Sequence, residues 1–169
     1  LQYHAAVSGR PLRLEFALTM DEFPDFHSGY KLFTRRTAEE VFAAEPAMAG
    51  CTEECYYQHA VEAVISTEAL ISGALLVCVN RSTLDEQPVT GFGLLDRRQL
   101  VADKIIWPCR RLNVPPGFVA QWLDNHLPRL QLGTLLPQGK DELVAIRNLV
   151  RHAFGLPEAP ADILRPEFI

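Results

Sequence analysis

The sequence predicts one mixed α/β domain, built on a central and mostly antiparallel mixed sheet that is flanked by helices. Three observations indicate this fold class. The chain has 169 residues, 48% hydrophobic and 22% charged, as is typical of one globular domain with a full core. Apolar residues alternate with polar ones from Leu12 to Leu18, the period of a half-buried strand. Residues 140–154 instead repeat apolar residues with the period of a helix. We expect a single domain over residues 1–155 and an extended, proline-containing tail over residues 156–169.

After the first strand, the chain shows two helix starts and then a second strand. Thr37 is placed to cap a short helix over residues 38–44, which has glutamates in its first turn. Thr52 is placed to cap the next helix, whose spacing continues at least to Ile65. The apolar run in residues 74–80 then reads as a strand, because it is short and is followed by turn-forming residues.

The next part of the chain is predicted as two more strands, a loop and a helix. Residues 89–96 and 99–107 are short apolar segments of strand length. Residues 108–117 contain three prolines and a glycine and therefore indicate a loop. Residues 118–127 place Phe118, Val119, Trp122, Leu123 and Leu127 on one face of a helix.

A last strand and a last helix complete the predicted order. Residues 130–136 are short and apolar enough for a strand, and residues 140–154 form the final helix with Gly155 as its stop. The order is therefore strand, two helices, three strands, helix, strand and helix, which is typical of a mixed α/β sheet domain.

Charge and hydropathy exclude two classes of partner. The net charge of −5 and the pI near 5.5 would repel a phosphate backbone, so we expect no nucleic-acid partner. The longest apolar run, from Ala69 to Val79, is too short to cross a bilayer, so we expect no membrane span. A domain of this size does not need disulfides, and its four cysteines therefore favour reduced thiols in the cytoplasm.

The stretch CTEECYYQHAVEA, residues 51–63, places two cysteines and a histidine at intervals of four. Cys51 and His59 would lie about 12 Å apart along a helix, too far to share one ion, so we predict no metal site. On a helical wheel, Cys55 and His59 share a polar face with Glu62 and Ser66, opposite the apolar one. Two interpretations remain open: a nucleophilic Cys55 with His59 as its base, or a second buried interface or plain surface thiol.

The better candidate for chemistry is the junction before the helix that starts near Gly117. A helix start offers unpaired N–H groups at its positive end, and Arg110 and Arg111 precede it. The junction is therefore a candidate anion site. The alternative is that Asn113 only caps the helix and that both arginines are solvated.

The order of elements resembles that of the GNAT acyltransferases, and the segments VTGFGLLD, IIWPCRRLNVPPG and AIRNLVRHAFG lie where members of that family have similar ones. The resemblance implies an acyltransferase with acyl-CoA as its substrate. Binding of the pyrophosphate would then fall to Arg110 or Arg111, Gly117 and Phe118. Asp103, on the fourth strand, would be the base, and His152 takes the place of the general acid in the last helix.

Two other functions are compatible with the same sequence. The chain would be a non-enzymatic binding or regulatory module that acts through a protein–protein or homodimer interface, or a sensor of a small ligand. Four apolar residues of the tail favour an interface, because so many of them are rarely left in water. We expect these to be buried: Ile163, Leu164, Phe168 and Ile169.

Overall fold

The computed structural model describes residues 1–10, 13, 31–77, 96–132 and 137–160 of the chain. These residues form six α-helices and one π-helical turn. In chain order they are α1 (Gln2–Ser8), α2 (Arg35–Phe42), the π turn (Cys55–His59), α3 (Val61–Ile71), α4 (Arg97–Arg111), α5 (Pro116–Leu132) and α6 (Pro137–Ala153).

Within these described ranges there is no β-strand, and the predicted mixed α/β fold is wrong. The nearest approach to a sheet is an isolated backbone bridge, in which Leu76 donates its N–H to the carbonyl of Arg13 at 2.9 Å. The resemblance to the GNAT acyltransferases is wrong as well, because that fold requires a sheet and the described part of the chain is helical.

The predicted strand 99–107 lies within α4. Asp96 caps this helix: its Oδ1 accepts hydrogen bonds from the backbone N–H groups of Arg98 at 3.0 Å and Gln99 at 3.4 Å. A run of apolar residues is ambiguous between a strand and a buried helix, and here the cap favours the helix. The side chains that α4 buries are Leu100, Ala102, Asp103, Ile106 and Trp107.

The other predicted strands are only partly covered by the described residues. Residues 74–77 are irregular apart from the bridge at Leu76. At the end of α5 the helix continues to Leu132, into the segment predicted as a strand. Outside the described residues lie the remainders of these predictions, namely residues 12, 14–18, 78–80, 89–95 and 133–136.

The loop predicted before α5 is largely helical, because α4 continues through Pro108. Asn113 then adopts a left-handed conformation with φ of 52°. Its N–H bonds to the carbonyl of Arg110 at 3.0 Å, and the N–H of Val114 bonds to that of Cys109 at 2.8 Å. This pair of bonds is a Schellman motif. Asn113 therefore ends α4 and does not cap α5.

Three helices were correctly predicted from local signals, although one cap was misplaced. Helices α5 and α6 occur where the apolar period indicated them. Gly155, with φ of 67°, ends α6, and Leu156 donates its N–H to the carbonyl of Arg151 at 2.9 Å. The short helix α2 is capped by Thr34, whose Oγ1 accepts the N–H of Thr37 at 3.2 Å. The cap therefore lies three residues before the predicted one.

Helix α4 is central to the packing. It contacts α3, the π turn and α6, while α5 packs on α6 and α2 packs on α3. A smaller cluster lies where the π turn meets α4, and its centre is the fully buried Trp107, which donates its indole N–H to the carbonyl of Ala47 at 3.0 Å. The buried residues of the main core are Ala102, Ile106, Leu112, Val114, Val119, Leu123, Leu127, Ile146 and Val150.

Candidate functional site

The stretch that carries Cys51, Cys55 and His59 folds as a helix with a π turn near its start. Thr52 Oγ1 accepts the N–H of Cys55 at 3.1 Å, so Thr52 caps this helix as predicted. The N–H of Ala60 bonds to the carbonyl of Cys55, five residues back, at 2.8 Å, which inserts an extra residue into the turn. Such turns are frequent at functional sites. Here Cys55 and His59 are both buried.

A buried histidine–aspartate pair lies at the end of the π turn. His59 Nδ1 is 2.6 Å from Asp103 Oδ2, and Gln99 Nε2 donates to the other carboxylate oxygen at 2.8 Å. His59 is 3% exposed and Asp103 is 6% exposed. Both oxygens of the buried carboxylate therefore have a donor, which offsets the cost of taking it out of water. The second ring nitrogen of His59 lies 3.8 Å from Oε1 of Glu54, an exposed residue.

Cys55 lies beside this pair, and its surroundings keep its thiol protonated. Burial raises the pKa of Cys55, and the charge of Asp103 and the neighbouring Cys51 thiol raise it further. The reactive form of a cysteine is the thiolate. The arrangement therefore does not support the interpretation of Cys55 as a nucleophile activated by His59. It supports the alternative of a second buried interface.

The pair belongs to a longer polar interface between α3 and α4, which we call the polar seam. It comprises Cys55, His59, Glu62, Ser66 and Glu68 on one side and Gln99, Asp103, Lys104 and Arg111 on the other. Glu62 Oε2 is 3.5 Å from Lys104 Nζ, and both side chains are about nine-tenths buried. The hydroxyl of Ser66 is buried without a hydrogen-bond partner. The helical wheel places this face opposite the apolar one, but the structure buries it against α4. There its charged groups meet α4 residues of opposite charge, although Oε2 of Glu62 is buried without a hydrogen bond.

The two arginines of the predicted anion site are both engaged by protein groups. Arg110 donates to the carbonyl of Gly50 at 2.8 Å and to that of Ala153 at 2.6 Å. Arg111 forms a two-bond ion pair with Glu68, at 2.5 and 3.0 Å. Two parallel bonds of this kind hold a guanidinium in place. Both arginines are therefore already bound to protein groups.

The other residues of the predicted site lie on separate elements. Gly117 is exposed in the first turn of α5, and Phe118 beside it is 43% exposed. His152 is exposed in the last turn of α6, whereas Asp103 is buried in the polar seam. The structure thus brings Asp103 together with His59 and Cys55, which the sequence suggested separately, and not with His152.

A cleft of about 240 Å³ opens between α2 and α3. It is lined by Glu40, Tyr56 and Ser72 together with the ion pair of Glu68 and Arg111. The carboxylate of Glu40 is also engaged, because Nε of Arg36 donates to it at 2.8 Å. Three charged groups of this cleft, Glu40, Glu68 and Arg111, are therefore each already paired with a protein group.

The described residues also bear on metal binding and on membrane-spanning helices. Among the described residues, no group of three or more histidine, cysteine, aspartate or glutamate side chains is arranged to hold a metal ion. Of the helices that the structure describes, none combines the length and apolar character needed to cross a membrane.

A row of exposed aromatic and aliphatic side chains lies along α5, and it was not among the sites predicted from the sequence. Phe118 is 43%, Trp122 36% and Leu130 54% exposed. The ring of Phe118 packs on Tyr3 of α1 at 5.0 Å, and that of Trp122 on His126 at 4.6 Å, centroid to centroid. We call Phe118, Trp122, His126 and Leu130 the α5 face. Their spacing of four residues was the available signal, but Phe118 and Trp122 were assigned to the same buried face as Val119, Leu123 and Leu127.

Val119, Leu123 and Leu127 are buried, with exposed fractions of 2%, 4% and 2%. The helix therefore presents two apolar faces, of which one forms the core and the other faces solvent. Comparison of this chain with protein-family models, with curated proteins and with solved structures finds no match. Its function is therefore argued from these two features, the polar seam and the α5 face.

Proposed function

We propose that this chain is a non-enzymatic interaction module that associates with a second copy of itself through the α5 face. The observation that carries the proposal is the exposure of Phe118, Trp122 and Leu130 in one row. Aromatic residues are enriched in the centres of protein interfaces, where they supply much of the binding energy. Full burial of an exposed large apolar side chain contributes about 1.5–3 kcal/mol, and covering the exposed part of these partly buried ones contributes correspondingly less, before the cost of association is subtracted.

A second copy is favoured because the face is complementary to itself in charge. The side chains of Phe118, Trp122 and Leu130 themselves carry no charge. In a two-fold dimer each patch meets its own copy, so a charged patch would repel itself, whereas a neutral apolar one would not. The net charge of −5 opposes association only weakly at physiological ionic strength, because salt screens it.

The polar seam gives less support to an enzyme. His59, Asp103 and Cys55 are each at most 6% exposed, so a substrate has no access to them without local opening. An acyl-CoA site has no support either, because the sheet fold that it requires is wrong for this chain and Arg110 and Arg111 are bound to protein groups. As part of the proposal we place the protein in a reducing compartment such as the cytoplasm, since the three described cysteines are free thiols.

Sedimentation velocity over a range of protein concentrations tests this function. We expect the unaltered chain to form a dimer, and Trp122→Lys or Leu130→Lys to weaken dimerisation by at least tenfold, about 1.4 kcal/mol. The matched control is Leu32→Lys, which places the same charge at an apolar residue that is 83% exposed but lies off the face. A chain that stays monomeric at every concentration would contradict the proposal, and so would lysine variants that dimerise like the control.

A further inference from the structure

The last helix carries a buried arginine that has no acidic partner among the described residues. Arg147 of α6 is 4% exposed, and its Nη2 donates a hydrogen bond to the carbonyl of Pro160. Its Nε is also buried but has no hydrogen-bond partner. Glu142, earlier in the same helix, pairs with Arg97 instead. Because a guanidinium stays charged in proteins, Arg147 places a positive charge in the interior without a described counter-ion.

Arg151, one helical turn later, is more completely paired. Its Nε donates to the carbonyl of Pro157 at 2.8 Å, and its Nη1 lies 3.7 Å from Oδ2 of Asp124 on α5. The two arginines thus hold carbonyls of a segment that returns along α6, residues 156–160, which we call the strap. Among the described residues of this cluster, two guanidinium groups therefore face one carboxylate. The unbalanced positive charge is that of Arg147.

The pair of Arg111 and Glu68 shows which ligand the open edge of Arg147 fits. Nε and Nη2 lie on the same edge of a guanidinium, and in Arg111 this edge binds both carboxylate oxygens of Glu68, at 2.5 and 3.0 Å. In Arg147 the same edge carries one carbonyl oxygen on Nη2 and no partner on Nε. A carboxylate can fill both positions with two parallel bonds.

We propose that the Nε/Nη2 edge of Arg147 is a binding site for a carboxylate, which the carbonyl of Pro160 half fills in this structure. The charge of the site favours a carboxylate over a phosphate, because one unbalanced guanidinium is neutralised by a single negative charge. A phosphate group carries about −1.5 to −2 at neutral pH and would leave a negative charge buried. The site is independent of the α5 face, and it gives the small-ligand interpretation of the sequence a definite position.

The strap is the part of the chain that a ligand would displace. Its Leu156 and Ala159 are half-buried, whereas Pro157 and Pro160 are exposed. A carboxylate that takes both positions on Arg147 removes the bond to the carbonyl of Pro160. The bond between Arg151 and Pro157 does not involve this edge and is expected to remain. Ligand binding should therefore loosen the end of the strap without releasing its beginning.

Two sources can supply the carboxylate, a dissolved small molecule or an acidic side chain of the same chain. Asp162 follows Pro160 by two residues in the sequence, and it lies outside the described residues. Both sources present the same chemical group to Arg147, so the experiment needs one arm for each.

The test is an NMR titration of the full chain with sodium acetate and with sodium benzoate, against sodium chloride at the same ionic strength. The side-chain Nε–H signal of Arg147 is assigned by its loss in Arg147→Lys. We expect it to shift saturably with either carboxylate and not with chloride. The Nε–H signal of Arg111 is the internal control, because Glu68 already fills its edge, and it should not move.

Two lysine variants separate the two-bond edge from charge alone. Arg147→Lys keeps the charge but lacks the edge, so acetate binding, followed at the backbone amide of Ala159, should weaken by about tenfold or more. Arg151→Lys is the matched control one turn away and should not weaken it. Circular dichroism checks that Arg147→Lys is folded, and the titration of the unaltered chain tests the site whether or not it is.

Asp162→Asn distinguishes the two sources. Tighter acetate binding in this variant would identify Asp162 as a carboxylate that competes for Arg147, whereas unchanged binding would identify a dissolved carboxylate as the ligand. The proposal is overturned if the Arg147 signal responds to neither carboxylate in the unaltered chain and in Asp162→Asn. It is also overturned if chloride produces the same shift, or if Arg147→Lys binds acetate as tightly as the unaltered chain.

Discussion

Removing His59 should cost the protein a large part of its stability, although histidine is only one residue of the polar seam. Its Nδ1 is 2.6 Å from a carboxylate that is 6% exposed, and after His59→Ala that carboxylate keeps Gln99 as its side-chain donor but loses the ring. Breaking a buried pair by removing one partner costs about 3–5 kcal/mol, because an incompletely compensated charge stays in the interior. The total free energy of unfolding of a domain is only about 5–15 kcal/mol.

Urea denaturation, followed by circular dichroism, measures this loss and separates it from simple truncation. Asp103→Leu combined with His59→Leu should cost clearly less than the two single changes added together, since no buried charge remains. The exposed pair of Arg35 and Glu39 on α2 is the control, and Arg35→Ala should change stability by no more than about 0.5 kcal/mol. A cost for His59→Ala as small as this control, or strict additivity in the double variant, would refute the reasoning.

Two further predictions concern the partly buried thiol of Cys109 and two glycines. Burial raises the pKa of Cys109 to about 11, so the folded state keeps a proton that the unfolded chain releases above about pH 8.5. This contribution to the free energy of unfolding is complete below about pH 8.5 and is lost as the pH rises towards 11, by up to about 3 kcal/mol. Urea denaturation with reductant present should therefore show a midpoint that falls over this pH range. In Cys109→Ala that fall should be smaller. Gly155→Ala should lower the free energy of unfolding by about 1 kcal/mol, because φ is 67° at this position. Gly117 lies in the first turn of α5 and has open space around its Cβ position, so Gly117→Ala should be neutral or stabilising. Thermal melting measures both effects. Equal effects of the two alanines would contradict the role assigned to Gly155.

The parts of the fold that could be predicted depend on local signals. The cap at Thr52 and the glycine stop at Gly155 act within one or two turns of a helix, so they can be identified without knowing what the helix packs against. The misassigned strand at the start of α4 had such a signal too. Asp96 followed by Gln99 has the spacing of a capping box, which competes with the prediction that a strand ends at Asp96.

The candidate site could not be predicted in the same way, because its pairs are formed between distant parts of the chain. His59 and Asp103 are 44 residues apart in sequence. A helical wheel gives the direction of Cys55 and His59 relative to their neighbours but not the helix that covers them. Polar residues on one face therefore look solvated until a partner with complementary charges is known, and here that partner is α4.

The sequence separations within the polar seam also explain the direction of packing. Arg111 and Glu68 are 43 residues apart, close to the 44 of His59 and Asp103, and Glu62 pairs with Lys104 between them. Because later residues of α3 meet later residues of α4, the two helices run in the same direction, and a single tight turn cannot connect them. Moving α4 by one turn would place charged groups against apolar ones, which costs far more than an equivalent slip between two apolar faces. The buried charges therefore specify the register of α3 on α4, and that register places Asp103 beside Cys55.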